Sequence, residues 1–105
     1  MATARIKLTS IESLELASEC LRVLAHPHRL RMIQMLLQGT FSVGDLATAC
    51  SIPSQMASEH LRLMQRCGLL SSDRDGRCVF YRVTDPQLNE ILACIEKRFG
   101  VKRTG

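Results

Sequence analysis

The sequence predicts a mainly α domain with one β-hairpin, in the order ααααββα, and three observations carry that expectation. Apolar residues recur at helical spacing in five separate stretches. An Asp75-Gly76 pair stands between two short strand-like runs, which is a strong hairpin signal. The three prolines, at 27, 53 and 86, each stand where a helix is expected to open. Residues 10–100 form the expected domain, with 1–9 and 101–105 as frayed ends.

In the first helix, from residue 10, Ile11, Leu14, Ala17, Leu21 and Leu24 make one stripe, which Leu16, Cys20 and Val23 widen. A helix apolar over so much of its girth needs cover on two sides, and in a small domain that suggests a subunit interface. Ala25-His26-Pro27 breaks the pattern. Pro27 then opens a second helix with Leu30, Ile33, Leu36 and Leu37 inward, closed by Gly39. Ser42 caps a third, short helix reciprocally with Asp45, and Val43, Leu46 and Ala47 are its inner side. Cys50 is near its end.

Residues 51–68 are the stretch around which the others are arranged. Ser51 is the expected N-cap, Pro53 sits in the first turn, and Gly68 supplies the left-handed stop. Met56, Leu61, Met64 and Cys67 form the buried stripe. Ser54, Gln55, Ser58, Glu59, Arg62 and Arg66 form a polar face suited to nucleic acid, because Ser, Gln and Arg reach base edges and phosphates. Cys78 to Val83 completes a hairpin with Arg74 and Arg77 flanking its tip. Asp85-Pro86 is read as a cap and first position of a last helix, striped by Leu88, Ile91, Leu92, Ile95 and Phe99 and ended by Gly100. Two helices joined by a short turn and followed by a hairpin make a winged helix-turn-helix.

Composition agrees. The chain has 105 residues, 46% apolar, enough for one domain with a modest core that dimerisation would complete. No apolar run approaches the roughly 20 residues of a membrane span, and there is no signal-peptide core, so a cytoplasmic location is expected. The net charge of +4 suits a polyanionic partner. The five cysteines, at 20, 50, 67, 78 and 94, include no CxxC pair, and reduced thiols are expected. With no HExxH, no Gly-rich phosphate loop and no paired carboxylates, an enzyme is not expected. A metal chaperone or pure interaction module is the remaining rival, and it would lack salt-dependent affinity for duplex DNA.

Three segments carry a resemblance. LAHPHRLRMIQMLLQG is similar to the pattern LAxPxRLxIL, and SVGDLATACSIPSQMASEHLRLMQRCGLL to one with SVxELA, SQxxVSxHL and AGLV. DGRCVFYRVTD is similar to a wing of the form EGRxxxYxLxD. These mark the ArsR/SmtB family of bacterial winged-helix repressors, over about residues 15–99. The resemblance implies a homodimer through the first and last helices. It also implies an inverted-repeat operator on double-stranded DNA, released when an inducer binds. It places Ser54, Gln55 and Ser58 at bases and phosphates, with Glu59, His60 and Arg62 in the same helix and Arg74 and Arg77 in the wing. His60 either contacts DNA or packs against the preceding helix and steadies the motif. For His26 and His28, capping or surface roles are expected rather than metal binding.

The family's known sensing motifs are broken here. The third helix reads SVGDLATAC with no CxC. In the last helix Asp85 matches a zinc site, but Gln87, Arg98 and Val101 replace its other ligands. Leu63 leaves Cys67 without a partner cysteine, and Gln34 and Gly100 stand where a persulfide sensor has its two. Cys20 and Cys94, with Cys50 as a third, are then either small buried hydrophobes or a thiolate set for a soft metal, a metalloid or an oxidant. No organic cofactor is expected. The alternative is a repressor without metal sensing, controlled by a protein partner or by abundance.

Overall fold

The computed structural model describes residues 5–100. The expected tail at 101–105 and the first four residues of the expected frayed N-terminus lie outside the described residues. The elements are α1 (Ile11–Leu24), α2 (Pro27–Leu36), α3 (Val43–Cys50), α4 (Ser54–Arg66), β1 (Leu70–Asp75), β2 (Cys78–Val83) and α5 (Leu88–Phe99), a winged helix in the expected order. Among the described residues, no helix is long and apolar enough to cross a membrane.

Local chemistry sets most of the ends. Ser10 caps α1 by accepting from the Ser13 N–H, and His26 caps α2 through Nδ1, which accepts from the His28 N–H with Pro27 in the first turn. Ser42 and Asp45 make the full reciprocal capping box on α3. Gly68 and Gly100 adopt positive φ, 82° and 89°, just beyond α4 and at the end of α5.

Three expected boundaries are displaced. Ser51 does not cap α4. It is the left-handed C-cap of α3, at φ 56° and ψ 45°, and its N–H bonds back to Ala47 and Thr48 carbonyls. Pro53 takes the N-cap position of α4, in extended geometry and with no side chain able to cap. Pro86 does not open α5 either. Asp85 Oδ1 accepts from the Gln87 N–H, and the N–H groups of Leu88, Asn89 and Glu90 bond three residues back, so a tight turn precedes the helix. At the other end of α2, the helix stops at Leu36, and Gly39 follows a turn in which its N–H bonds to the Met35 carbonyl.

The core lies where α2, α3 and α4 meet. Met32, Ile33, Leu46, Leu61 and Met64 are wholly inaccessible, and each contributes about 1.5–3 kcal/mol of apolar burial. Met56, expected in the α4 stripe, is 43% exposed; Ala57 takes the inward place beside Leu61 and Met64. The register Asp75↔Cys78 leaves Gly76 and Arg77 as the central turn residues, with Gly76 at φ 65°. A glycine first and an ordinary residue second is the II′ hairpin pattern. The wing packs on the helices through β1 on α4 and β2 on α2, with Tyr81 buried.

Outside this core the two flanking helices are half-dressed. α1 packs on α2 and α4, yet in this single chain it buries only Leu24 and leaves Ile11, Leu14, Leu16 and Leu21 exposed. α5 packs on α2, burying Leu88 and Leu92 while Ile91 and Phe99 face out.

The cap assignment at Ser51 has a direct test. A non-glycine residue in the left-handed region pays roughly 1 kcal/mol, so Ser51→Gly should raise the urea midpoint of unfolding, whereas Ser42→Ala should lower stability by about 1 kcal/mol through loss of its cap. A Ser51→Gly protein less stable than the parent would contradict the assignment.

Candidate nucleic-acid interface

The turn between α3 and α4 aims the second helix. Its left-handed residue at Ser51 reverses the chain in two steps, and the Ile52 N–H bonds to the Ala47 carbonyl at 3.0 Å, fixing the entry to α4. With Ala57, Leu61 and Met64 turned inward, the opposite side presents Ser54, Gln55, Glu59, Arg62 and Arg66 exposed and Ser58 half-buried. Because Pro53 brings no capping side chain, the backbone N–H groups of the first turn of α4 have no side-chain acceptor. Such a terminus favours an anion, since orphan donors and the helix dipole point the same way.

The wing extends this surface from the other end of α4. Gln65 Nε2 donates to Ser72 Oγ at 3.1 Å, tying helix to strand, and Thr84 Oγ1 donates to the Gly68 carbonyl, holding the base of the hairpin. Arg74 and Arg77 are exposed at the tip. Asp73 is neutralised by Arg82, whose Nε donates to Oδ2 at 2.8 Å; that bond holds the Asp73 carboxyl below its ordinary range. The pair is solvent-exposed and adds little stability.

His60 lies at the side of α4 that meets α2. Its Nδ1 accepts from Arg29 Nε at 3.0 Å, while Arg29 Nη1 donates to the Val23 carbonyl at 3.0 Å, so one guanidinium joins the end of α1, the start of α2 and α4. The His60 ring lies 4.6 Å from that of His26 and 6.1 Å from that of His28. Burial first, then the Arg29 charge and then neighbouring imidazoles hold His26 and His60 below the ordinary histidine range. Residue-by-residue reading treated the three histidines separately. No local pattern brings them together, because His60 stands more than 30 positions from both of the others and meets them only in the folded chain.

The thiols are dispersed within the chain. Cys20 is half-buried on α1, its Sγ directed at the Cys67 carbonyl, 3.9 Å away. Cys94 is exposed on α5. Cys50 is buried against the His28 carbonyl, 3.6 Å from Sγ, and burial raises its thiol above the ordinary range, which disfavours the reactive thiolate. Among the described residues, the one group of three or more potential metal ligands in mutual reach is His26, His28 and His60, not a set of cysteines.

Comparison with known proteins agrees with this geometry. A helix-turn-helix domain family matches residues 24–73. The uncharacterized HTH-type transcriptional regulator Rv0081 of Mycobacterium tuberculosis is 32% identical over 79% of this chain and 74% of its own length. Its crystal structure superposes with a TM-score of 0.74 at 31% identity, over 86% of this chain and 91% of that one. The HTH-type transcriptional repressor SmtB of the same organism is 35% identical over 77% of this chain and 60% of its own length. The fold is shared by Mb0332 of Mycobacterium bovis, solved by NMR as a homodimeric winged helix-turn-helix DNA-binding domain and described as a possible ArsR-family regulator. There the TM-score is 0.73 at 24% identity, over 94% of this chain and 90% of that one. Together with the three sequence motifs and the wing behind α4, this similarity makes the chain a member of the ArsR/SmtB family of winged helix-turn-helix transcriptional repressors.

Proposed function

We propose that the protein represses transcription as a homodimer that lays α4 of each protomer into the major groove of an inverted-repeat operator. The observation that carries this reading is the two-sided character of α4, fully packed on one side and exposed on the other with groups that bind bases and phosphates. Ser54, Gln55, Ser58, Glu59 and Arg62 are the proposed contacts of the helix, and the uncapped first turn of α4 offers backbone donors to a phosphate. Arg74 and Arg77 of the wing reach the flanking backbone. His60 serves by holding α4 against α2 through Arg29. The exposed Ile11, Leu14, Leu16 and Leu21 of α1, with Ile91 and Phe99 of α5, are proposed to close against a second copy. Apolar surface spread over two helices is rare on a monomer. The description of Mb0332 as homodimeric supports the same assembly. The site of action would be the cytoplasm, where the DNA is.

Phosphate neutralisation makes such binding steeply salt-dependent. Affinity for the DNA upstream of the protein's own gene should fall linearly on a log–log plot against salt, and Arg74→Ala or Arg77→Ala should each reduce the slope by about 1. Gln55→Ala should cost about 1–3 kcal/mol on the operator and less on unrelated DNA. Binding that does not respond to salt would favour an interaction module instead.

For the inducer, the proposal is a thiol-reactive metal, metalloid or oxidant acting at Cys20 and Cys94, without Cys50, whose burial disfavours its thiolate. The supporting observation is that Cys20 and Cys94 stand on the two helices of the apolar face, so modification there would act on the dimer. Arsenite, cadmium or a mild oxidant should then release the reduced protein from DNA, and Cys94→Ser should abolish the release. Retention of DNA under all three agents would leave control by a partner protein or by abundance.

A further inference from the structure

The imidazoles of His26, His28 and His60 converge where the α1–α2 turn, the first turn of α2 and the middle of α4 meet, and one potential ligand nitrogen from each lies within 4.8 Å of the others. All three rings are half-buried. His28 Nδ1 is buried and has no hydrogen-bond partner, an orphan that calls for a ligand. In a tetrahedral site with Zn–N bonds of about 2.0–2.1 Å the nitrogens stand roughly 3.3 Å apart. Histidine χ2 is a broad and soft torsion, and rotation about it is the motion that would close the remaining distance. A set of three imidazole nitrogens without a carboxylate selects Zn2+, Ni2+ or Cu2+ over Ca2+ or Mg2+.

We propose that His26, His28 and His60 bind one such divalent cation, Zn2+ foremost, leaving a fourth position for water, and that binding detaches Arg29 from His60. The detachment follows from proton counting. A neutral imidazole has one lone pair and one N–H, and His60 Nδ1 now spends its lone pair on Arg29 Nε. Ligation through Nδ1 takes that lone pair, and ligation through Nε2 moves the ring proton onto Nδ1. Either way Arg29 loses its acceptor. His26 exchanges its cap on the His28 N–H in the same manner, whereas His28 gives up nothing. The Arg29 charge opposes the incoming cation and so sets the threshold of the site. Because His60 belongs to α4, occupancy would act on the DNA-facing helix. That consequence rests on the function proposed above, while the binding itself does not.

The test is a Co2+ titration of the reduced full chain by absorption spectroscopy. One Co2+ per protomer is expected, with d–d bands but no thiolate-to-metal charge transfer, and displacement by Zn2+. His28→Gln, which removes a ring that makes no hydrogen bond, should weaken binding by about tenfold or more, and Arg29→Gln should strengthen it several-fold. Failure of His28→Gln to weaken binding, a spectrum dominated by thiolate charge transfer, or no bound Co2+ would each overturn the assignment.

Discussion

α4 can bury only one side, and most of the molecule follows from that limit. Ala57, Leu61 and Met64 fill the space between α2 and α3, where Met32, Ile33 and Leu46 meet them with no solvent access. Interiors packed at that density do not tolerate a rotated helix, because a turn of α4 about its axis would bring Glu59 or Arg62 into the core unpaired. The polar face is therefore held outward at a set angle, and the geometry of the α3–α4 turn delivers it there. What lies outside, short polar side chains and arginines at the start of an uncapped helix, is then free to meet a polyanion.

Arg29 is the second fixed point. A guanidinium bonded at once to the Val23 carbonyl and to His60 ties three helices at one place, and hydrogen bonds from a charged group contribute about 1.5–3 kcal/mol each. Burial first, and then its charge, hold His26 and His60 below the ordinary histidine range. The same residue thus braces α4 and stands beside the cluster of His26, His28 and His60. Structural support and ligand chemistry meet there, as at the edge of many functional sites.

Much of this was legible in the residues. The stripes on α2 and α3, the Ser42–Asp45 box, the Gly68 stop and the hairpin were readable because each depends on neighbours a few positions away. The polar face of α4 was legible for the same reason. Ser51 and Pro86 were misplaced because a serine before a helix and a proline after an aspartate fit two local geometries, and only the path of the chain decides between them. Spacing alone points Met56 inward, but Ala57 one position on shares the buried side with Leu61 and Met64, and spacing cannot separate adjacent positions at the edge of a stripe. The histidine cluster depends on contact between residues more than 30 positions apart, such as Arg29 and His60, which no local pattern encodes. The broad apolar stripe of α1 was read from periodicity, and its exposure in the single chain is what an interface between copies requires.

Whether two copies of α4 read one operator together is decided by a hydroxyl-radical and methylation-protection footprint of the protein on its upstream DNA. A paired reading gives two major-groove windows of protection related by a dyad, with centres about 10 base pairs, one helical turn, apart. A single window, or protection with no two-fold relation, would contradict it.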